Sequence, residues 1–174
     1  MPAIPAIPVE AERLLLEPLH PDHAREAAIA FADPALHRHI GGAPLSEPDL
    51  RDRYRRLAAG HSPDGSEEWL NWMVRTTSDG ALVGTVQATV TLVDGIRSAS
   101  LAWVTGSAHQ GRGFATEAAG AVLAYLRGRE VDRFTAHIHP GNLPSERVAR
   151  SLGLLPRDTW SDGERLWSDD APAS

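Results

Sequence analysis

Cysteine is absent from the 174 residues. Disulfides, cysteine-ligated zinc and any acyl-enzyme formed on a thiol of the protein are therefore excluded. No uninterrupted apolar run approaches the ~18 residues that a membrane span requires. The opening Met1-Pro2-Ala3-Ile4-Pro5-Ala6-Ile7-Pro8 lacks the positive start and apolar block of a signal peptide, so a cytoplasmic location and no membrane partner are expected. A basic excess is missing too: 17 Lys+Arg stand against 23 Asp+Glu, a net charge of -6. The basic residues do not gather into a block, which speaks against nucleic acid as a partner. The acidic balance weakly favours a cationic substrate, although solubility explains it equally well. No internal repeat is present.

What remains is an ordinary globular chain, 42% apolar and 23% charged, of a length suited to one core. A single domain over residues 10–168 is expected, preceded by an N-terminal extension (1–9) and followed by a C-terminal tail (169–174). Glu12-Arg13-Leu14-Leu15-Leu16-Glu17 reads as a first strand. Pro21 suits the first turn of a helix through Ala24, Ala27, Ala28 and Phe31, and Ser46 with Asp49 opens a second helix that ends near Gly60. Trp69-Leu70-Asn71-Trp72-Met73-Val74 is strand-like, and Asp79-Gly80 is a dipeptide of tight hairpin turns. Val86, Ala88, Val90 and Leu92 alternate with Thr85, Gln87, Thr89 and Thr91 at the period of a half-buried strand. After Asp94-Gly95 comes a strand to about Thr105, then a helix bearing Ala115, Ala119, Val122, Leu123 and Leu126. A strand at Phe134, Ala136 and Ile138 precedes a helix from about Pro144 to Gly153, and Trp160, Asp162-Gly163 and Trp167 suggest a final hairpin.

Between a strand and a helix lies Ser107-Ala108-His109-Gln110-Gly111-Arg112-Gly113-Phe114-Ala115-Thr116. Glycines let a ligand approach the backbone, and the free N–H groups of a first helical turn point outward as an anion site. The helix dipole adds to this, so strongly basic neighbours are unnecessary. A tight strand-to-helix turn would use the same glycines. A dinucleotide fingerprint fails because its sixth position is Thr116, and a P-loop fails because no Gly-Lys-Ser or Gly-Lys-Thr occurs.

These residues resemble the GCN5-related N-acetyltransferases (GNAT), whose signature is Gln or Arg, two free positions, Gly, one free position, then Gly or Ala; Gln110, Gly113 and Ala115 fill it. Ala115-Thr116-Glu117-Ala118, Asn142-Leu143-Pro144-Ser145-Glu146-Arg147-Val148, Leu152-Gly153 and Glu12-Arg13-Leu14-Leu15-Leu16-Glu17-Pro18-Leu19 look like the branch that acetylates ribosomal-protein N-termini (RimJ/RimL-like). The likeness spans residues 10–168. It implies an α/β (α+β) fold with a mixed, mostly antiparallel sheet of six or seven strands, the fourth and fifth splayed apart, flanked by about four helices.

The resemblance also implies acetyl-CoA as co-substrate, with no metal, and transfer of its acetyl group to a protein N-terminal α-amine or a small-molecule amine. Pantetheine would pair with Trp103, Val104 and Thr105 on the fourth strand, and pyrophosphate would sit on Gln110, Gly111, Arg112, Gly113, Phe114, Ala115 and Thr116. Asn142 would contact pantetheine or cap the next helix, two roles one residue can combine. Ser145 stands where a hydroxyl serves the leaving thiolate, although a helix-start serine also satisfies backbone groups. Many relatives carry a glutamate on the fourth strand where this chain has Ser100, so no base carries over. His137 and His139, two apart on the fifth strand, and Glu67 and Glu68 are candidates. Trp69, Trp72 and Trp103 are candidate acceptor-pocket rings or core residues. Residues 33–44, with His37, His39 and Gly41-Gly42, would border the acceptor. A homodimer fits the family. The missing acid leaves open a CoA-binding sensor or scaffold without turnover, and a nucleotide-binding module would instead be stabilised better by ATP or NAD than by CoA.

Overall fold

The computed structural model describes residues 2–170. Its strands are β1 (Val9–Glu10), β2 (Leu14–Pro18), β3 (Glu67–Thr76), β4 (Leu82–Val93), β5 (Ile96–Thr105), β6 (Arg133–Ile138), β7 (Leu155–Ser161) and β8 (Glu164–Ser168). The helices are α1 (Ala24–Ala30), α2 (His37–Ile40), α3 (Glu47–Leu57), α4 (Phe114–Arg127) and α5 (Leu143–Ser151). All eight strands join one sheet in the order β1-β2-β3-β4-β5-β6-β8-β7. Only β5 and β6 pair in parallel. The sheet is the expected mixed one, widened by β1, and the helices exceed the expected four by the single turn of α2. Both additions are too short to leave a periodic signal. The splayed fourth and fifth strands of the sequence reading are β5 and β6.

Alternation on β4 divides the protein into two layers. Val86, Ala88 and Val90 are buried on one face with Leu70 and Trp72 of β3 and with Phe114, Ala118, Val122 and Leu126 of α4. Each such side chain contributes about 1.5–3 kcal/mol on burial, which pins α4 and the loop before it to the sheet. The opposite face is covered by α1 and α3, where Ala24, Ala27, Tyr54, Met73 and Leu82 form a second, smaller cluster. Thr85, Gln87 and Thr89 stay half-buried on that face, so its sheet surface is polar where the helices do not reach.

The turns differ in kind. Asp94 and Gly95 both take positive φ (52° and 78°), as do Asp162 and Gly163 (50° and 81°), the mirror-image turn that matches strand twist. Asp79-Gly80 does not form the expected tight turn. There only Gly80 has positive φ, because the Asp79 carboxylate accepts from the Thr76 hydroxyl and from Ala81 N at 3.2 Å, wrapping a wider loop.

Residues 2–8, expected as an extension, lie along the α4 face. Ile4 is in the core, its N–H donates to Glu68 Oε2 at 2.7 Å, and Trp72 Nε1 donates to Ile7 O at 2.8 Å. At the other end, Asp169 accepts from Phe134 N at 2.8 Å; the rest of the expected tail, 171–174, lies outside the described residues.

Candidate active site

The site begins where a ladder stops. β5 and β6 pair at Ser98↔Arg133, Ala99↔Phe134 and Ser100↔Thr135, and no further. Beyond Ser100, β5 keeps its partner β4 as far as Thr105↔Gly84, while β6 turns to β8 through His137↔Leu166 and Ile138↔Arg165. Residues 101–105 thus have a strand on one side only, and backbone polar groups on the other side face a gap. The gap opens into a cleft of about 520 Å³, walled by β3, β4 and β5, by α2 and α3, and by the start of α5. Gly84 lets the end of β5 lie this close to β4: a Cβ there would meet Val104 O at 2.3 Å.

Trp103, Val104, Asn142 and Ser145 all line the cleft. Asn142 caps α5, its Oδ1 accepting from Ser145 N at 3.3 Å. Trp103 Nε1 donates to Ser145 Oγ at 3.3 Å, which occupies a lone pair of the hydroxyl and leaves its proton free to donate. Ser100 is also in the wall. Thr105 ends the strand, and its carbonyl accepts from Gln110 Nε2 at 3.2 Å, tying the glycine loop to β5.

Gly111 and Gly113 have φ of 75° and 79°, a region that costs side chains with a Cβ. Gly113 is the N-cap of α4, and no side chain caps that end. The first-turn amides therefore keep their donors, with the positive end of the helix dipole behind them. The Phe114 side chain is buried, so only its amide belongs to the loop surface. The guanidinium of Arg112 stacks over the Phe114 ring at 4.7 Å, and that of Arg13 at 4.9 Å. Arg13 is held there by Glu117, Nε to Oε2 at 2.7 Å, and donates to Arg112 O at 3.1 Å. This second cation is 99 residues away in sequence, and no local pattern announces it.

The base candidates separate. His137 and His139 line the cleft, as do His37 and His39, and the His39 and His139 rings lie 5.9 Å apart. Glu164 shares that end of the cleft. Glu67 and Glu68 stand outside it: Glu67 accepts from Trp69 Nε1 at 2.8 Å, and Glu68 holds Ile4 N and lies 3.7 Å from Arg97. Trp69 borders a separate depression, whereas Trp72 lines the cleft floor while anchoring the core. Among the described residues no group of three or more His, Asp or Glu is placed to hold a metal ion, and no helix is long and apolar enough to cross a membrane.

Three groups carried no sequence signal for the site, although Tyr54 falls in the apolar stripe of α3 with Leu50 and Leu57. Asn71 is 8% exposed in the cleft wall, and its Nδ2 has no hydrogen-bond partner. Tyr54 lines the cleft, and burial pushes its hydroxyl up to about 12, opposed by the nearby charge of Arg53. Arg53 itself lines the cleft from α3.

Comparison with known proteins agrees with this geometry. The sequence profile of the acetyltransferase (GNAT) domain matches residues 13–155. A GNAT-family acetyltransferase of Bacillus anthracis superposes with a TM-score of 0.73 at 21% identity, covering 93% of this chain and 97% of that one. RimL, a ribosomal-protein α-N-acetyltransferase in complex with coenzyme A, superposes with a TM-score of 0.76 at 14% identity, covering 92% and 96%. An acetyltransferase of Agrobacterium tumefaciens gives 0.70 at 23% identity, covering 97% and 95%. Against proteins of curated function the sequence has no significant match. At these identities the structures speak for the fold alone. The profile spans most of the chain and includes both the glycine loop and Ser145, and on that ground the protein belongs to the GNAT acetyltransferase family.

Proposed function

We propose that the protein transfers an acetyl group from acetyl-CoA directly to a primary amine held in the cleft, within one ternary complex. The observation that carries this is a single strand, β5, whose free edge at residues 101–105 opens onto the cleft and whose end is tied through Gln110 to the uncapped start of α4. Coenzyme A has the matching parts: a pyrophosphate for amides 111–116 and an amide-bearing pantetheine arm for the strand edge. Arg112 adds positive charge at the phosphate end, while the charge of Arg13 is balanced by Glu117.

With the thioester between β5 and β6, the neutral amine attacks its carbonyl carbon. The C–N bond forms as the carbonyl oxygen gathers charge, and strand-edge N–H groups stabilise that oxygen by roughly 3 kcal/mol per donor. The C–S bond then breaks with its electron pair on sulfur, where the Ser145 hydroxyl donates a hydrogen bond. The amine proton leaves to the imidazole of His139, a side chain suited to proton transfer near neutrality, with the His39 ring 5.9 Å away.

Release of free thiol from acetyl-CoA is the test, with α-amino peptides, polyamines and amino sugars as acceptors. Initial rates at varied concentrations of both substrates are expected to give intersecting reciprocal plots. Parallel plots would refute direct transfer, and absence of amine-stimulated release across the set would refute the function.

A further inference from the structure

The cleft is bipolar along its length. Among the described residues, its only Arg or Lys is Arg53, on α3, and its only Asp or Glu is Glu164, on β8. Arg53 makes no ion pair among the described residues. Arg53 also borders the neighbouring depression with Asp49 and Asp52, but neither acid pairs with it: Asp49 accepts from the Ser46 hydroxyl at 2.6 Å, and Asp52 pairs with Arg55 at 2.7 Å. The same wall carries two further donors, the Tyr54 hydroxyl, which feels the charge of Arg53, and the Asn71 side-chain amide, whose Nδ2 is buried without a partner. A buried donor left unpaired is costly, and a ligand oxygen would relieve it.

These donors sit on the β3 side, whereas Ser145, Trp103 and His139 mark the reacting end at the β5–β6 opening. Two strand spacings separate β3 from β5, a distance of about 10 Å. Between the two ends the wall is mixed, with Thr85 and Gln87 of β4 on the sheet side and Leu36, Ile40, Leu50 and Leu57 on the helical side. Resting on the acetyl-transfer reading above, we propose that the acceptor is a primary amine bearing a carboxylate about 10 Å from its nitrogen, with Arg53 as the residue that selects it. An extended peptide advances about 3.4 Å per residue. An N-terminal segment with an acidic third residue therefore has this chemistry, and so does a long ω-amino acid. The net negative charge of the whole chain does not carry into the cleft, and polycations such as polyamines do not fit its donor-rich end.

The test compares amidated peptides Ser-Ala-Glu, Ser-Ala-Gln and Ser-Ala-Lys, aminooctanoate and its amide, and spermidine, in wild type and in Arg53→Gln and Arg53→Glu. Melting curves check that the variants fold. Wild type is expected to favour an acid over its amide by about tenfold in kcat/KM, the peptide or the aliphatic pair revealing which source is used. Arg53→Gln brings that ratio toward one, and Arg53→Glu turns preference toward Ser-Ala-Lys. A wild-type ratio of one, or a ratio that survives Arg53→Gln, overturns the proposal while leaving acetyl transfer intact. Turnover on no amine overturns the acetyl-transfer reading instead. In that case calorimetry of Ser-Ala-Glu against Ser-Ala-Gln on protein saturated with coenzyme A still decides whether Arg53 selects the acid.

Discussion

Gly84→Ala places one methyl group where the reaction would feel it most. The added Cβ would lie 2.3 Å from Val104 O and 3.4 Å from Thr105 Cα, against a closest real approach of 3.0 Å. The contact is with backbone, so no side chain can swing away. Either β4 or the end of β5 must move by at least about 0.7 Å. Overpacking of this kind costs about 1–3 kcal/mol of stability. The catalytic loss is expected to exceed it, because residues 101–105 are the proposed carbonyl-binding edge and a misplacement near 1 Å can cost about a hundredfold in rate. Thermal melting and steady-state thiol release on the same preparation separate the two effects. The variant is expected to stay folded at assay temperature, with kcat/KM lowered by about ten- to a hundredfold. Wild-type kinetics in a folded Gly84→Ala would refute the placement of the reaction at this edge.

Other substitutions probe separate parts of the structure. Gly120→Ala, in the interior of α4, adds a Cβ whose nearest neighbour is Leu152 Cδ2 at 3.9 Å. It is expected to stabilise the protein by about 0.5–1 kcal/mol, read as a rise in Tm of about 1–4 °C with activity retained. Ser145→Ala removes the thiolate-side donor and is expected to lower kcat about tenfold without weakening CoA binding; an unchanged kcat would take Ser145 out of the chemistry. His23 has its pKa lowered below 6.5, first by burial, with Glu17 opposing and Arg75 and His20 reinforcing the shift. Below pH 6.5 the unfolded chain takes up this proton before the folded one does, so stability falls as pH drops from 6.5 through the folded pKa. Melting temperatures in that window are expected to fall less steeply in His23→Gln, and an identical slope would assign the loss to other groups.

The glycine turn before α4 was legible because glycines at a strand-to-helix junction report backbone conformation directly, and Gly111 and Gly113 both take positive φ. The β5 boundaries and the Asn142 cap were legible for the same local reason. The strap of residues 2–8 was not, since a proline-rich run carries no periodicity and its anchors, Trp72, Glu68 and Tyr125, lie over 60 residues away. Nor could sequence separate Glu67 and Glu68 from the histidines as bases, because adjacent strand residues of one charge type look alike until their partners are known. Asn71 and Arg53 gain meaning only from what they fail to pair with, a property of the folded wall. The chain also contains no lysine, all 17 of its Lys+Arg being arginine, so any acetyl-lysine found in an assay comes from the acceptor.

Titration calorimetry of the folded protein with coenzyme A tests the central claim, that the uncapped start of α4 and the free edge of β5 together hold the co-substrate. One site per chain is expected, weakened when Gly113→Val fills the αL turn at the loop. A protein that is folded by melting analysis yet gives no heat with millimolar coenzyme A would contradict that claim and the acetyl transfer built on it.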